Sequence, residues 1–366
     1  MNVNIEKIDE YLNLYQYHHQ IPGFAVNIVK DNQILYSQSF GSTSIESPQN
    51  RVNADTIFSI QSITKSFTAM ALLHSEENTN FSLDDPIIRY LPYFRTKSGN
   101  FDEITTRHIL SHTAGFPENV WIATLLDEEL YELGKNLPEY KFIFDMYPNL
   151  EDILRTIKSR EDVTRFFSQI ELESTPGKNW KYCTDAYVIA TDVLEKVSGL
   201  TFENYVNKHI FNVLGMNRTF VNPTFSTDEK NVSSYYMNTI NTPIEVAQPE
   251  NIIGAPMGFI YSTANDLSNY VIDIMDENGQ ILSKQQYHKL FEPLAKREEG
   301  LSYGLGWKLK EFQGLKIVEH AGGYPGVSCF ISMVPEHKLG IILLSNMDQI
   351  TLMNVSNKLI RMMCGS

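Results

Sequence analysis

Apolar and polar positions along the chain fall into two textures. Near the start, Ile8, Leu12 and Tyr15 recur at helical spacing over about residues 4–19 and predict an amphipathic opening helix. Pro22-Gly23 breaks it, and the runs FAVNIVK and QILYSQSF follow, with Asp31-Asn32 between them as a turn. They predict a β-hairpin that Gly41 ends. The far end repeats this texture. There YGLGWKLKEF, GLKIVEHAG, GVSCFISMV and LGIILLSN predict successive strands of an antiparallel meander, punctuated by Gln313-Gly314, Gly322-Gly323 and a turn at 335–338. In the last segment, TLMNVSNKLIRMM, residues Leu352, Val355, Leu359 and Met362 share a face, so a closing helix is expected to pack on that sheet.

From about 60 to 300 the pattern turns helical, through SITKSFTAMALLHSEE, TRHILSHTAG, LEDILRTIKSREDVTRFFSQ, CTDAYVIATDVLEKVSG and TFENYVNKHIFNVLG. Several of these runs end at Gly, as a C-terminal cap should. The stretch 117–160 carries Trp121, Tyr131, Tyr140, Phe142, Phe144 and Tyr147 without a clean period. It predicts loops and short helices, arranged as a lid over a site. Together these readings predict an α/β (α+β) chain. Residues 1–60 and 300–366 form one discontinuous sheet domain, 61–299 a mainly helical lobe, and the site lies in the cleft between them.

Composition narrows the partners. The 366 residues include 30 Lys plus Arg against 44 Asp plus Glu, a net charge of −14. A polyanion is repelled by such a surface, so nucleic acid and anionic membranes are not expected as partners. The longest apolar runs, such as LGIILL at 339–344, are far shorter than the ~20 residues that span a bilayer. The opening MNVNIEKIDEYLNLYQYHHQ lacks the features of a signal peptide. Cys183, Cys329 and Cys364 are odd in number and form no CxxC pair, which fits a reducing compartment; a cytoplasmic location is the expectation.

The sharpest chemical signal is Ser62-Ile63-Thr64-Lys65, between the apolar run at 57–60 and the helix-forming FTAMALL. If residue 62 opens the helix, Ser62 and Lys65 share a face at i and i+3. A lysine desolvated there can lose its proton and accept one from the serine hydroxyl, while the helix N-terminus favours a developing oxyanion. On spacing alone, Ser62 reads as an N-cap with Lys65 in solvent. Tyr182, just before an amphipathic run, reads on its own as a packed tyrosine with a tethered hydroxyl.

The chain resembles the class C β-lactamase and penicillin-binding-protein-like serine hydrolases, a family that includes D-aminopeptidases, D-Ala-D-Ala carboxypeptidases and carboxylesterases. FSIQSITKSFTAMALL is similar to the nucleophile helix with its S-x-x-K motif, FSLDDPIIRYLP to the segment after it, and TRHILSHTAGFP to the His-Thr-Gly helix end. TPGKNWKYCTDAYVIATDVLEKVSG resembles the second catalytic motif, followed in family order by TFENYVNKHIFNVLGMNRT, IYSTANDLSNY and EHAGGYPG.

The resemblance implies a β-lactamase/transpeptidase-like fold and an acyl-enzyme mechanism without metal or organic cofactor. It makes Ser62 the nucleophile, Lys65 its proton acceptor and Tyr182 a second base whose phenol pKa Lys65 lowers. His320-Ala321-Gly322 takes the place of the third motif, with His320 as substrate anchor, Gly322 admitting close approach of substrate, and the Gly323 N–H joining that of Ser62 as oxyanion donor. Two departures shift the expected substrate. Thr184 stands where penicillin-recognising members carry Asn, and His320 where they carry Lys. Phe259 also replaces a usual glycine.

The expected activity is therefore hydrolysis of a small ester, amide or D-residue-containing peptide. Penicillin-binding, β-lactamase or D-Ala-D-Ala carboxypeptidase activity is the alternative within the enzymes, and a non-catalytic scaffold of the same fold the alternative outside them. Other candidates are weaker. His108 and His112 have helical metal-pair spacing without a third ligand, Asp84-Asp85 read as a capping turn, and Cys183 has no partner histidine nearby in sequence.

Overall fold

The structure is a computed structural model that describes residues 4–138, 141–225, 229–240, 242–276, 278–298 and 300–365; Tyr140 lies outside them. The predicted hairpin is present as β1 (Gly23–Lys30) and β2 (Gln33–Gly41). Three short pieces, β3 (Phe58–Ser59), β4 (Phe220–Val221) and β7 (Ile260–Ser262), form a small sheet in the order β3-β7-β4. A ribbon pairs β5 (Tyr235–Met237) with β6 (Ile244–Val246). The distal meander comprises β8 (Ala295–Glu298), β9 (Leu301–Tyr303), β10 (Lys308–Phe312), β11 (Leu315–Tyr324), β12 (Val327–Val334) and β13 (Leu339–Ser345).

Among the described residues one antiparallel sheet joins both ends of the chain in the order β2-β1-β13-β12-β11-β10-β9-β8. The join is the β1–β13 ladder, which runs from Phe24 opposite Ser345 to Lys30 opposite Leu339. Alternation along β1 sorts the two faces. Phe24, Val26 and Ile28 meet helix α1 (Ile5–His18) and the closing helix Leu352–Cys364, in a cluster with Ile8, Leu12 and Leu359. Ala25 and Val29 face the larger core, where helix α2 (Thr64–Asn78) is buried on nearly every side. A strand covered on both faces needs no polar alternation, which is why FAVNIVK reads as a continuous apolar run.

Two sequence expectations change. The run LEDILRTIKSREDVTRFFSQ is not one helix; it splits into Leu150–Thr156 and Arg160–Phe166 because Ser159 caps the second piece by accepting from the Asp162 N–H. The meander also gains β8 and β9 before Lys308. The outer of the two, β8 with its residues AKRE, forms a charged sheet edge, a composition that discourages further pairing. Among the described residues no helix is long and apolar enough to cross a membrane.

Candidate active site

Strand β3 delivers the chain to a single 3-10 turn, Gln61–Ile63, that runs into α2. Gln61 holds a left-handed backbone, φ 45°, a costly conformation for a residue with a Cβ. Its side-chain amide donates to Ser59 Oγ at 2.8 Å, and the Ile60 N–H donates to the Ile260 carbonyl at 2.9 Å. The turn is thus pinned from both sides, with half-buried Ser62 at its crest. Ser62 is not the N-cap that spacing alone allowed, because Ile63 occupies that position without a side-chain cap bond.

Lys65 is fully buried rather than solvated. Its Nζ donates to Ser62 Oγ at 3.0 Å and to the Met257 carbonyl at 2.6 Å, and sits 5.2 and 5.5 Å from the ring centroids of Tyr182 and Tyr187. Burial pushes its pKa down to about 7, Asp185 and Cys183 pull it part of the way back, and the Lys308 charge opposes them. A substantial fraction of this amine is neutral at pH 7 and able to take a proton.

Tyr182 lines the same cavity as Ser62 and Thr184. Its phenol does not follow the expected direction: burial raises its pKa, and the neighbouring Ser62 and Thr184 hydroxyls only partly offset this. Tyr182 is a protonated phenol at neutral pH. His112 steadies it, with ring centroids 4.2 Å apart, while His112 Nδ1 accepts the Cys183 N–H at 3.3 Å. His108 instead completes a capping box with Thr105, and no group of three metal-binding side chains occurs among the described residues. The buried Cys183 thiol is pushed up in pKa by desolvation, the wrong direction for a nucleophile. Asp84 pairs with Arg107 and Asp85 with Arg89.

Of the third motif, Ala321, Gly322 and Gly323 line the cavity and the His320 side chain does not. His320 is buried; its Nδ1–H donates to the Ala321 carbonyl at 2.8 Å and its Nε2 accepts the Tyr303 O–H at 3.0 Å. Burial and the Lys308 and Lys65 charges push its pKa well below the usual histidine range, so it is neutral. Gly322 lines the cavity, and a Cβ there would stand 2.4 Å from the Ile60 carbonyl and 2.3 Å from Cys329 Sγ, so the glycine also lets β11 lie against the 3-10 turn that carries Ser62. Beside Gly323 nothing lies within 4 Å of where a Cβ would be, and the residue faces the open cavity.

The cavity measures about 760 Å³. The 117–160 segment contributes Glu118, Asn119, Trp121, Thr124, Leu130 and Leu137 to it, and Phe259 narrows it with its ring edge toward Tyr324, centroids 5.7 Å apart.

Two lining residues escaped sequence reasoning. Asp185 accepts the Ala123 N–H at 2.7 Å and the Thr124 hydroxyl at 2.8 Å, tying the aromatic segment to the second motif, and burial raises its pKa to about 6. It occupies the N-cap position of the following helix and makes no capping bond. Lys308, at the start of β10, is the basic side chain of the cavity lining; its neighbour across the ladder, Glu319, is taken by Lys310 at 2.5 Å.

The chain matches the Beta-lactamase family over residues 5–361 and belongs to that family, whose members are generally serine hydrolases. Among curated relatives it is 26% identical over 347 residues to penicillin-binding protein 4* of Bacillus subtilis, covering 91% of this chain and 70% of that one. It is 24% identical over 348 residues to protein flp of Staphylococcus aureus, covering 94% of this chain but only 63% of the relative. The octameric penicillin-binding protein homologue from Pyrococcus abyssi superimposes with a TM-score of 0.83 at 24% identity, over 99% of this chain and 78% of that one. A D-stereospecific amidohydrolase from Streptomyces gives 0.76 at 21%, over 98% of each chain. These likenesses establish the β-lactamase/transpeptidase fold, an antiparallel sheet flanked by helices.

Proposed function

We propose that the chain hydrolyses a small ester, amide or D-residue-containing peptide through an acyl-enzyme on Ser62. The observation that carries this reading is the buried Lys65 amine, poised near pH 7 and 3.0 Å from Ser62 Oγ at the cavity floor. Neutral Lys65 takes the hydroxyl proton as Oγ attacks the substrate carbonyl. The oxyanion settles between the backbone N–H groups of Ser62 and Gly323, at the mouth of the 3-10 turn. Tyr182, a phenol at neutral pH, donates its proton to the leaving group and is reprotonated from the Lys65 ammonium. Water then attacks the acyl-enzyme by the same relay in reverse.

Substrate choice follows from what the walls offer. Thr184 brings a hydroxyl where a carboxamide would bind an acylamino group, and His320 is turned away from the cavity. Both features favour an ester or D-residue amide over a penicillin, with the 117–160 segment as lid. Lys308 favours a second reading, penicillin-binding or carboxypeptidase-like chemistry, because it offers one cation to a substrate carboxylate. A scaffold without turnover has no use for a lysine desolvated against a serine.

Intact mass after incubation with a fluorophosphonate and, separately, with penicillin tests the proposal on wild type and Ser62→Ala. One fluorophosphonate adduct, absent in the variant, is expected. A stable penicillin adduct would move the assignment to the second reading, and no adduct with either probe would overturn the enzyme reading.

A further inference from the structure

A second cavity, of about 580 Å³, opens between the 173–181 segment and the edge strand β8. Its described lining carries Lys178, Lys181, Lys296 and Arg297 against Glu173 and Glu298. In a chain of net charge −14 a cleft with a cationic excess is out of character. Lys181 is already engaged by Glu173. Lys178 and Lys296 are exposed, and among the described residues neither they nor Arg297 enters an ion pair.

The packing inside the cleft adds a direction to this charge. The Arg297 guanidinium lies 4.0 Å over the Trp180 ring, which fixes the plane of its donor fork. Two buried N–H groups of this stacked pair, Arg297 Nε and Trp180 Nε1, have no acceptor among the described residues. Buried polar groups are ordinarily paired, so orphaned donors on the wall of a cleft call for an explanation. Among the unpaired groups named here, Lys178, Lys296, Arg297 and Trp180 donate and only the Glu298 carboxylate accepts, so the balance is cationic. The missing partner is therefore rich in acceptors and negatively charged.

We propose that this cleft is a binding site for a phosphorylated small molecule, distinct from the cavity that holds Ser62. A phosphoryl group presents several oxygens to a planar donor fork and to two mobile ammonium groups at once, which a single carboxylate does less well. The volume exceeds what one ion needs, leaving room for the small polar body that carries the phosphate. The residues lining this cleft and those lining the cavity with Ser62 do not overlap. Trp180 stands 6.3 Å from Tyr182, 6.2 Å from His112 and 6.0 Å from Tyr303, ring centroid to centroid, and these rings form the partition.

The test is calorimetric titration of the intact chain with inorganic phosphate and with glycerol phosphate at constant ionic strength, with sodium chloride and sodium acetate as comparators. Saturable phosphate binding is expected, tighter for glycerol phosphate, and weakened at least tenfold in Arg297→Met. Lys296→Met, at an exposed position that does not endanger folding, is expected to weaken it severalfold. Lys308→Met, in the other cavity, is expected to leave it unchanged. Equal binding of acetate and phosphate would overturn the phosphoryl assignment. No saturation, or loss of binding in Lys308→Met with retention in both Arg297→Met and Lys296→Met, would overturn the site.

Discussion

Lys65 Nζ donates to Ser62 Oγ at 3.0 Å and, with the same nitrogen, to the Met257 carbonyl at 2.6 Å. The carbonyl stabilises the ammonium but brings no charge, so burial still decides the titration and sets it at about 7. Only the neutral amine accepts a proton. For an uncharged ester, kcat/KM is expected to fall about tenfold per pH unit below 7 and to level off above it. A profile flat from pH 5 to 9 would contradict Lys65 as the base.

The same burial links activity to stability. The Lys65 pKa is depressed from an unfolded value near ~10.4, so the unfolded chain binds the extra proton. This group's contribution to stability is complete above about pH 10, declines as pH falls, and is fully lost below about 7. Lys65→Met is expected to abolish Ser62 labelling yet raise stability by about 1–2 kcal/mol at pH 7. In denaturant titrations of both proteins, that advantage should shrink as pH rises toward 10.

Neighbouring glycines should answer oppositely to the same change. Gly322→Ala drives a methyl into the Ile60 carbonyl and Cys329, and is expected to cost about 1–3 kcal/mol and most of the activity by displacing the nucleophile turn. Gly323→Ala meets open space and should stay within about 0.5 kcal/mol of wild type. Melting curves and fluorophosphonate labelling rates of the two variants, taken side by side, decide this.

Asp185 has two separable effects. Asp185→Ala orphans the Ala123 N–H, which is expected to cost about 1–3 kcal/mol and to speed hydrogen exchange over residues 121–126. Asp185→Asn keeps an acceptor for that N–H but removes the charge that pulls the Lys65 pKa up, so the acid limb of the rate profile should move below pH 7. An unmoved limb would separate Asp185 electrostatically from the base.

Lys308→Met should discriminate among substrates. KM for an ester bearing a carboxylate is expected to rise about tenfold, roughly the loss of one charge-assisted contact, while a neutral ester is little affected. Equal effects on both would mean that Lys308 shapes the cavity without reading charge.

Much of the frame was legible because it rests on local pattern. β1, β2 and the strands from Lys308 onward announce themselves through apolar runs bounded by turn residues, and the Ser62-to-Lys65 spacing needs only a helix to become a geometry. What stayed hidden depends on partners far along the chain. The Met257 carbonyl that holds Lys65 is 192 positions away, and the Ala123 and Thr124 groups that claim Asp185 are 62 and 61 away. His320 falls in a run that predicts a strand, but only the Tyr303 hydroxyl determines that its ring is held inside the wall. β8 escaped notice for a related reason, since an edge strand protected by charge carries no apolar signature.

The ladder between β1 and β13 also fixes an order of events at the ribosome. Gly23 donates its N–H to Asn346, 323 positions later, so the edge of β1 that will hold β13 emerges long before its partner exists. At ~5–20 residues per second that exposure lasts roughly 15–60 s, with a strongly apolar strand half-paired in the hairpin. Strand β11, which lines the cavity, is completed only in the same late interval. A nascent chain of this protein therefore waits, unfinished and in need of shielding, until the residues of β13 are made.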